Sequence, residues 1–435
     1  MGIVMIMMAT LETFSQTGFQ QALIQKKDNI ESYLNSVWTV LILRSLVLFA
    51  ILYFIAPFAT IFFNVPQAKS IIQVIGFSIL FQAFTNIGVI YFQKELEFNK
   101  HFIYRLSGTL ADFIVAVSAA LILRSVWALV FGVLAGEFVR CIVSYIIHPF
   151  RPHLSSDLGK AKELFGFGKW ILGSSILVFL ITQGDDLFVG KALGITALGF
   201  YQMAYKISNM PATEITHTIS QVTFPAYSKL QDNRQRLING ITRTLKVVSL
   251  VTLPISGGIL IIAPVFTQTV LGKKWFPMVT ALQILCIFGL IRSLGALFGP
   301  VYRAKGRPDI PLRFNIVEII ILVATIYPLS IKWGFTGTSL AVSISALPIL
   351  FLTGKYMSSL LETDFRTLFR PVLKPFLATI VMMILMAITL KFVPIGGIVL
   401  LGLGIFIGVI SYLSVIFIFA KEDLAELIRM VKNVH

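Results

Sequence analysis

Two pairs of ionisable residues stand three apart inside apolar runs: Glu137 with Arg140, and Glu214 with His217. That spacing puts both partners on one face of a helix. Glu12, Asp112, Arg292 and Glu318 are each central in an apolar run, and Arg44 and Lys206 lie well inside theirs. An ionisable group at mid-membrane depth costs about 2.5–3.5 kcal/mol on insertion scales, so it normally faces a cavity or a partner. The chemistry open to such groups is of two kinds. A carboxylate in a poorly hydrated site can take up and release a proton through a conformational cycle. Glu12, Asp112, Glu137, Glu214 and Glu318 are therefore candidates for coupling to H+ or Na+, with His217 as a proton relay near neutral pH. Arg44, Arg140, Arg292 and Lys206 suit an anionic ligand, the arginines because their fork matches phosphate oxygens. The plainer readings are a structural Glu137–Arg140 pair, an Asp112 that bonds to a neighbouring helix, and an Arg44 and Lys206 that snorkel to the interface.

Polar side chains extend these positions into stripes. Lys206, Asn209, Thr213, His217 and Ser220 follow steps of three or four, as do Glu12, Gln16 and Gln20. Facing lipid, such stripes would leave their polar groups unsatisfied. An aqueous cavity is the simpler surrounding, with Gln16, Gln20, Asn209 and Thr213 among its lining residues.

The elements that must hold these residues are membrane helices. The chain has 435 residues, of which 57% are hydrophobic and 13% charged, and its mean hydropathy is +0.87. A soluble protein carries about a quarter charged residues. A crossing needs about 20 apolar residues, and thirteen such runs are present, near 3–24, 34–63, 70–93, 103–123, 125–148, 166–184, 197–225, 239–271, 276–303, 309–331, 335–360, 370–392 and 395–420. Basic residues crowd every second connection, as at Lys94 and Lys100, Arg303, Lys305 and Arg307, or Lys421, Arg429 and Lys432. The positive-inside rule makes those loops, and the C-terminus, cytoplasmic. The net charge of +16 is thereby explained by orientation. Spread over many short loops, it does not form a nucleic-acid patch.

The two halves repeat. "IAPF" at 55–58 recurs as "IAPV" at 262–265, "KDN" at 27–29 as "QDN" at 231–233, and Gly2 as Gly199. At the offset of 197 residues that holds at the start of the match, Glu12 falls on Asn209, Gln16 on Thr213 and Gln20 on His217. This pattern predicts a duplicated six-helix unit with an axis along the membrane normal. The expected organisation is an N-lobe over 1–150, a C-lobe over 151–365, two further helices over 366–420 and a cytoplasmic tail over 421–435. The second unit has a span, 166–184, ahead of the position equivalent to Gly2, so the expectation is that the first unit lacks its opening helix. A protein of thirteen helices is the alternative.

Several stretches resemble the Wzx-type polysaccharide and O-antigen flippases of the multidrug/oligosaccharidyl-lipid/polysaccharide exporter superfamily. They are "GFQQALIQKKD" (18–28), the segment from "FGFGKWILG" to "YKISNMP" (165–211), "TFPAYSKLQDN" (223–233) and "YRAKGRPDIPLRFNIVE" (302–318). The resemblance implies an all-α polytopic membrane protein, a MATE-like two-lobe bundle with about thirteen transmembrane helices of an expected fourteen. It implies a carrier in the cytoplasmic (inner) membrane that moves a polyprenyl-diphosphate-linked oligosaccharide by alternating access, coupled to H+ or Na+. Its partners would be that lipid-linked glycan, membrane lipids and polysaccharide-assembly proteins. No nucleic acid, cofactor or metal is implied.

Two other readings are open. A multidrug or other lipid-linked precursor exporter shares the fold. A membrane glycosyltransferase or polymerase would use Asp185 and Asp186, read as part of an outside loop at 185–196. That loop is short for an enzyme site. "GDDLFVGKA" at 184–192 misses the spacing and hydroxyl of a phosphate-binding loop, which argues against an ATP-driven pump. The segment 155–167 reads as an amphipathic interfacial element.

Overall fold

The computed structural model describes residues 11–26, 29–62, 68–155, 157, 159–393 and 396–419, which are mostly helical with no strand among them. The first residues of the opening span, Lys27 and Asp28, and the 421–435 tail lie outside the described residues. After a helical stretch at 11–15 come α1 (Phe19–Gln25), α2 (Glu31–Phe62), α3 (Ala68–Ile75), α4 (Phe77–Phe84), α5 (Ile90–Lys94), α6 (Phe98–Leu123), α7 (Trp127–Ile147), α8 (Gly159–Ala192) and α9 (Ile195–Met210). There follow α10 (His217–Leu230), α11 (Arg234–Phe266), α12 (Val279–Gly295), α13 (Phe298–Ala304), α14 (Asp309–Leu360), α15 (Phe365–Phe392) and α16 (Gly397–Phe419). Among the described residues nine helices are long and apolar enough to cross a membrane, or ten when the bent pair Lys69–Phe84 and Ile87–Lys94 is one span.

The predicted runs become helices with informative breaks. The spans 309–331 and 335–360 are the two halves of α14, which turns back at Trp333 and Gly334; Gly334 has φ +59°. The carbonyl of Leu329 fills the place where a Cβ on Gly337 would sit. The Ser330 and Thr338 hydroxyls bond at 2.8 Å across this turn. A π turn, Pro211–Thr216, joins α9 to α10, at the residue whose missing N–H breaks the helical ladder.

Two expectations are corrected. Residues 159–167 do not form a separate interfacial element; they are the first turns of the 34-residue α8. Asp185 and Asp186 are not in a loop either. Both belong to α8, because α9 supplies donors that replace water: Tyr201 Oη donates to Asp185 Oδ2 at 2.5 Å and Gln202 Nε2 to Asp186 Oδ2 at 2.9 Å. The loop shrinks to a turn around Gly194, whose φ is +89°.

The chain divides into two compact units, Met1–Ile176 and Leu177–His435, the division falling inside α8. In the first unit α6 and α7 exchange charged side chains across glycine notches. The Arg140 side chain of α7 lies over Gly108 of α6, and Asp112 of α6 lies over Gly132 and Gly136 of α7. In the second unit Tyr201, Ala204, Leu282, Leu285, Cys286 and Phe288 belong to one core. The pair α15 and α16 packs on α11 through Leu250, Met382, Met386, Tyr412 and Ile416, with Tyr412 Oη donating to the Leu250 carbonyl at 2.8 Å.

The Asp185–Tyr201 bond is a testable part of this packing. Asp185 is 1% exposed and Tyr201 fully buried. Asp185→Leu strands the phenol and should cost about 1–3 kcal/mol of stability. The double variant with Tyr201→Phe should recover most of that loss. Thermal unfolding of both in detergent checks the result.

Candidate functional site

The first unit gathers five of the predicted residues. The helix that carries Glu12 ends at residue 15, and residues 16–18 break it before α1. Gly18 has φ +67° and packs against Gly168 of α8. Beside this break the α2 residue Arg44 donates from Nη2 to Ser15 Oγ at 2.7 Å and to the Glu12 carbonyl at 3.5 Å. Its Nε is buried with no hydrogen-bond partner among the described residues. The Glu12 carboxyl lies within electrostatic reach of Arg44. Glu137 pairs with Arg140 at 2.5 Å, and Glu12 and Asp112 are also within its reach. Glu12, Arg44, Asp112, Glu137 and Arg140 thus form one electrostatic group. Gln16 and Gln20 bond elsewhere in the unit: Ser175 Oγ donates to Gln16 Oε1 at 2.7 Å, and Gln20 Nε2 donates to Gln93 Oε1 at 3.0 Å.

The second unit brings Arg292 and Glu318 to one cavity of about 320 Å³. Arg292 on α12 donates from Nη1 to Tyr205 Oη of α9 at 2.7 Å. The Glu318 carboxyl of α14 is in electrostatic reach of the guanidinium without an ion pair between them among the described residues. Apolar side chains such as Ile181, Phe288 and Ile291 make up most of the remaining wall, with Thr182, Asn315, Tyr302 and Thr353 as its polar members. Low polarity around two charges strengthens their interaction.

The rest of the predicted residues do not gather there. Before the π turn Asn209 is 2% exposed, its Nδ2 donating to the Tyr205 carbonyl at 3.1 Å, while its Oδ1 has no partner among the described residues. Lys206, Thr213 and Glu214 are exposed, and the His217 side chain lies outside the described residues. At the end of the turn Thr216 bonds to Ser293 Oγ of α12 at 2.5 Å, and Ser220 of α10 donates to the Ala296 carbonyl just beyond α12 at 3.5 Å. The π turn accommodates one residue more than an α turn, so steps of three and four do not hold one face across it. Tyr205 and Ser15 were not singled out from sequence. The i,i+4 pair Tyr201 and Tyr205 is the signal that marks the interior face of α9.

The two units share a device. In each, a mid-span arginine is held by a hydroxyl at 2.7 Å, Ser15 for Arg44 and Tyr205 for Arg292, with an acid nearby that it does not directly pair. Such a guanidinium keeps donors of its fork for a ligand.

Residues 1–280 match the family described as "Polysaccharide biosynthesis protein". The chain is 26% identical over 328 residues to the lipopolysaccharide biosynthesis protein WzxC of Escherichia coli K12; the match covers 74% of this chain and 66% of that relative's length, a little under two thirds. Its fold is similar to that of the lipid II flippase MurJ in an inward closed conformation, with a TM-score of 0.67 and 17% identity, covering 97% of this chain and 92% of that one. An outward-facing multidrug resistance MATE transporter gives a TM-score of 0.65 at 15% identity, over 82% of this chain and 86% of the other. These likenesses show that the fold is a multi-helix membrane transporter fold of the MATE type.

Proposed function

The chain belongs to the polysaccharide biosynthesis protein family, and on that footing we propose that it is a flippase for a lipid-linked glycan precursor. The load would be a polyprenyl-diphosphate oligosaccharide carried from the cytoplasmic to the outer leaflet of the cytoplasmic membrane by alternating access. The names of relatives such as WzxC support polysaccharide assembly as its setting. The fold supports transport as its activity. The observation that carries the reading is the arginine device found in both units. Arg44 and Arg292 lie in apolar helices, each anchored through one donor to a neutral hydroxyl. A guanidinium so placed suits the oxygens of a diphosphate passing through the membrane. Arg140 is different: Glu137 occupies it at 2.5 Å, so its part is to position the first unit's charged group. Glu12, Asp112, Glu137 and Glu318 are the proposed coupling acids, with Glu214 and His217 further candidates on α10 and its leading turn.

The glycosyltransferase alternative rested on a pair of loop aspartates. With Asp185 and Asp186 built into α8 and bonded to α9, that reading loses its site.

The test is translocation in vesicles. Purified protein reconstituted with a fluorescent polyprenyl-diphosphate oligosaccharide should expose the label to an outside quencher without changing its chain length. Arg44→Ala should slow this movement about tenfold or more, as expected for loss of a charged hydrogen bond. Lengthened products, or export of cationic drugs that ignores Arg44→Ala, would replace the proposal by a polymerase or a multidrug exporter.

A further inference from the structure

The cavity that holds Arg292 and Glu318 is built from the second unit alone, and its walls run along the bundle. Tyr302 and Thr353 line it near the end marked by Arg303, Lys305 and Arg307, and Glu318 lies deeper. Glu318 stands nine steps along α14 from Asp309, a rise of about 13 Å. The basic end is the cytoplasmic one by the positive-inside rule. At that end three rings meet edge to face: Tyr302 with Phe314 at 6.3 Å, Tyr302 with Tyr356 at 6.2 Å and Phe314 with Tyr356 at 6.0 Å between centroids. Tyr302 Oη is tied to the Thr353 carbonyl at 2.9 Å.

We propose that the second unit contains its own hydrated proton route, from the basic end of the bundle to Glu318, gated by Tyr302, Phe314 and Tyr356. The purpose of the route rests on the transport reading; its geometry does not. A cavity of about 320 Å³ holds roughly ten waters at their liquid volume. Glu318, Arg292, Asn315, Thr182, Tyr302 and Thr353 offer them polar partners. The ion that fits is the proton. A metal cation held there would face the Arg292 guanidinium, which is in electrostatic reach of the one carboxylate, whereas a proton joins the carboxyl oxygen itself and neutralises it. Among the described residues no group of three His, Cys, Asp or Glu could hold a metal ion. The titratable groups around Glu318 are Arg292 from α12 and Tyr302 from α13, with Tyr205 of α9 behind Arg292 and Asp185 and Asp186 of α8 within reach of Tyr205. The stretch from Ala346 to Thr353 brings none into the cavity. On uptake, a hydronium in the route gives its proton to a Glu318 oxygen and leaves as water. The carboxyl becomes neutral, and Arg292 loses the nearby negative charge that competes with an incoming anion. Release reverses the step.

Gly295 and Gly299 line the cavity, and a Cβ on either would meet open space. A leucine there starts from open space at its Cβ and puts an isobutyl group on the cavity wall. In a background with Cys141→Ser and Cys286→Ser, Thr353→Cys and Ala346→Cys should react with a membrane-impermeant thiol reagent applied from the basic side. Adding Gly299→Leu should cut labelling of Ala346→Cys at least tenfold, and Gly295→Leu serves if that variant does not fold. In the native-cysteine protein, Glu318→Gln should lower pH-gradient-driven translocation at least tenfold, and a Na+ gradient should not replace the pH gradient in the unaltered protein. Labelling from the opposite side only, no labelling at either cysteine, or translocation driven by Na+ alone would overturn the proposal. If labelling follows the expected pattern while no lipid-linked glycan moves under any gradient, the route stands and the flippase reading falls.

Discussion

Arg292→Met should lower translocation of a diphosphate-linked glycan by about ten- to a hundredfold, with a loss of stability no larger than the ~1–3 kcal/mol of one stranded phenol. The side chain reaches the cavity from α12 and gives one donor to Tyr205 Oη at 2.7 Å. Hydrogen bonds to charged groups contribute about 1.5–3 kcal/mol, and each 1.4 kcal/mol is a factor of ten. Met keeps most of the apolar stem, so the packing of that stem on α12 and its neighbours survives. Two further variants separate the charge from the anchor. Tyr205→Phe leaves the guanidinium in the cavity with one partner fewer, and its loss should be smaller. Arg292→Lys should fail to restore full rate, because an ammonium is a point charge without the planar fork that grips two phosphate oxygens. Initial translocation rates in vesicles, with unfolding curves in detergent as the control, decide the matter. A rate for Arg292→Met equal to that of the parent would remove this arginine from the transport cycle.

How much of this was legible in the sequence depends on which physical signal each feature carries. The helices were legible because an apolar run of membrane length has few other solutions in lipid. Each predicted span meets helix among the described residues, including the two halves of α14. The depth of Arg44, Arg292 and Glu318 was legible for the same reason. Their partners were not. Ser15 and Tyr205 are ordinary residues for a membrane helix, and only coordinates show that their hydroxyls point at guanidinium groups.

Helix defects hid the remainder. Positions 16–18 interrupt the opening span and 211–216 the span 197–225, and the 197-residue offset read from the sequence sets 16–18 against 213–215. Only the second defect has a proline to announce it. The polar stripe read from 206 to 220 assumed an unbroken period, and the π turn shifts that period midway. Asn209 therefore turns inward while Thr213 does not. The same blindness produced the false loop at 185–196. Two adjacent aspartates read as solvent-facing until α9 is seen to supply a phenol and an amide to them.

The break at 16–18 also sets the most severe structural requirement in the first unit. Gly168→Ala should destabilise the protein by about 1–3 kcal/mol, the usual range for overpacking, and Gly168→Val by more. The place a Cβ would occupy on Gly168 is filled by the carbonyl oxygen of Thr17. This is backbone, so it cannot rotate away as a side chain would. Moving Thr17 moves Ser15 and Gln16 with it, and these hold Arg44 at 2.7 Å and Ser175 at 2.7 Å. Loss of stability and loss of transport should therefore appear together. Gly166, two residues earlier on α8, supplies the control: no neighbour lies within 4 Å of its Cβ position. Gly166→Ala should be neutral or should gain up to about 1 kcal/mol, since alanine restricts the unfolded chain and favours the helix. Unfolding temperatures of the two alanine variants, measured side by side, test whether the glycine seam or mere helix propensity governs this part of α8. Equal curves would mean that Thr17 can yield, and that the break does not hold Ser15 against Arg44.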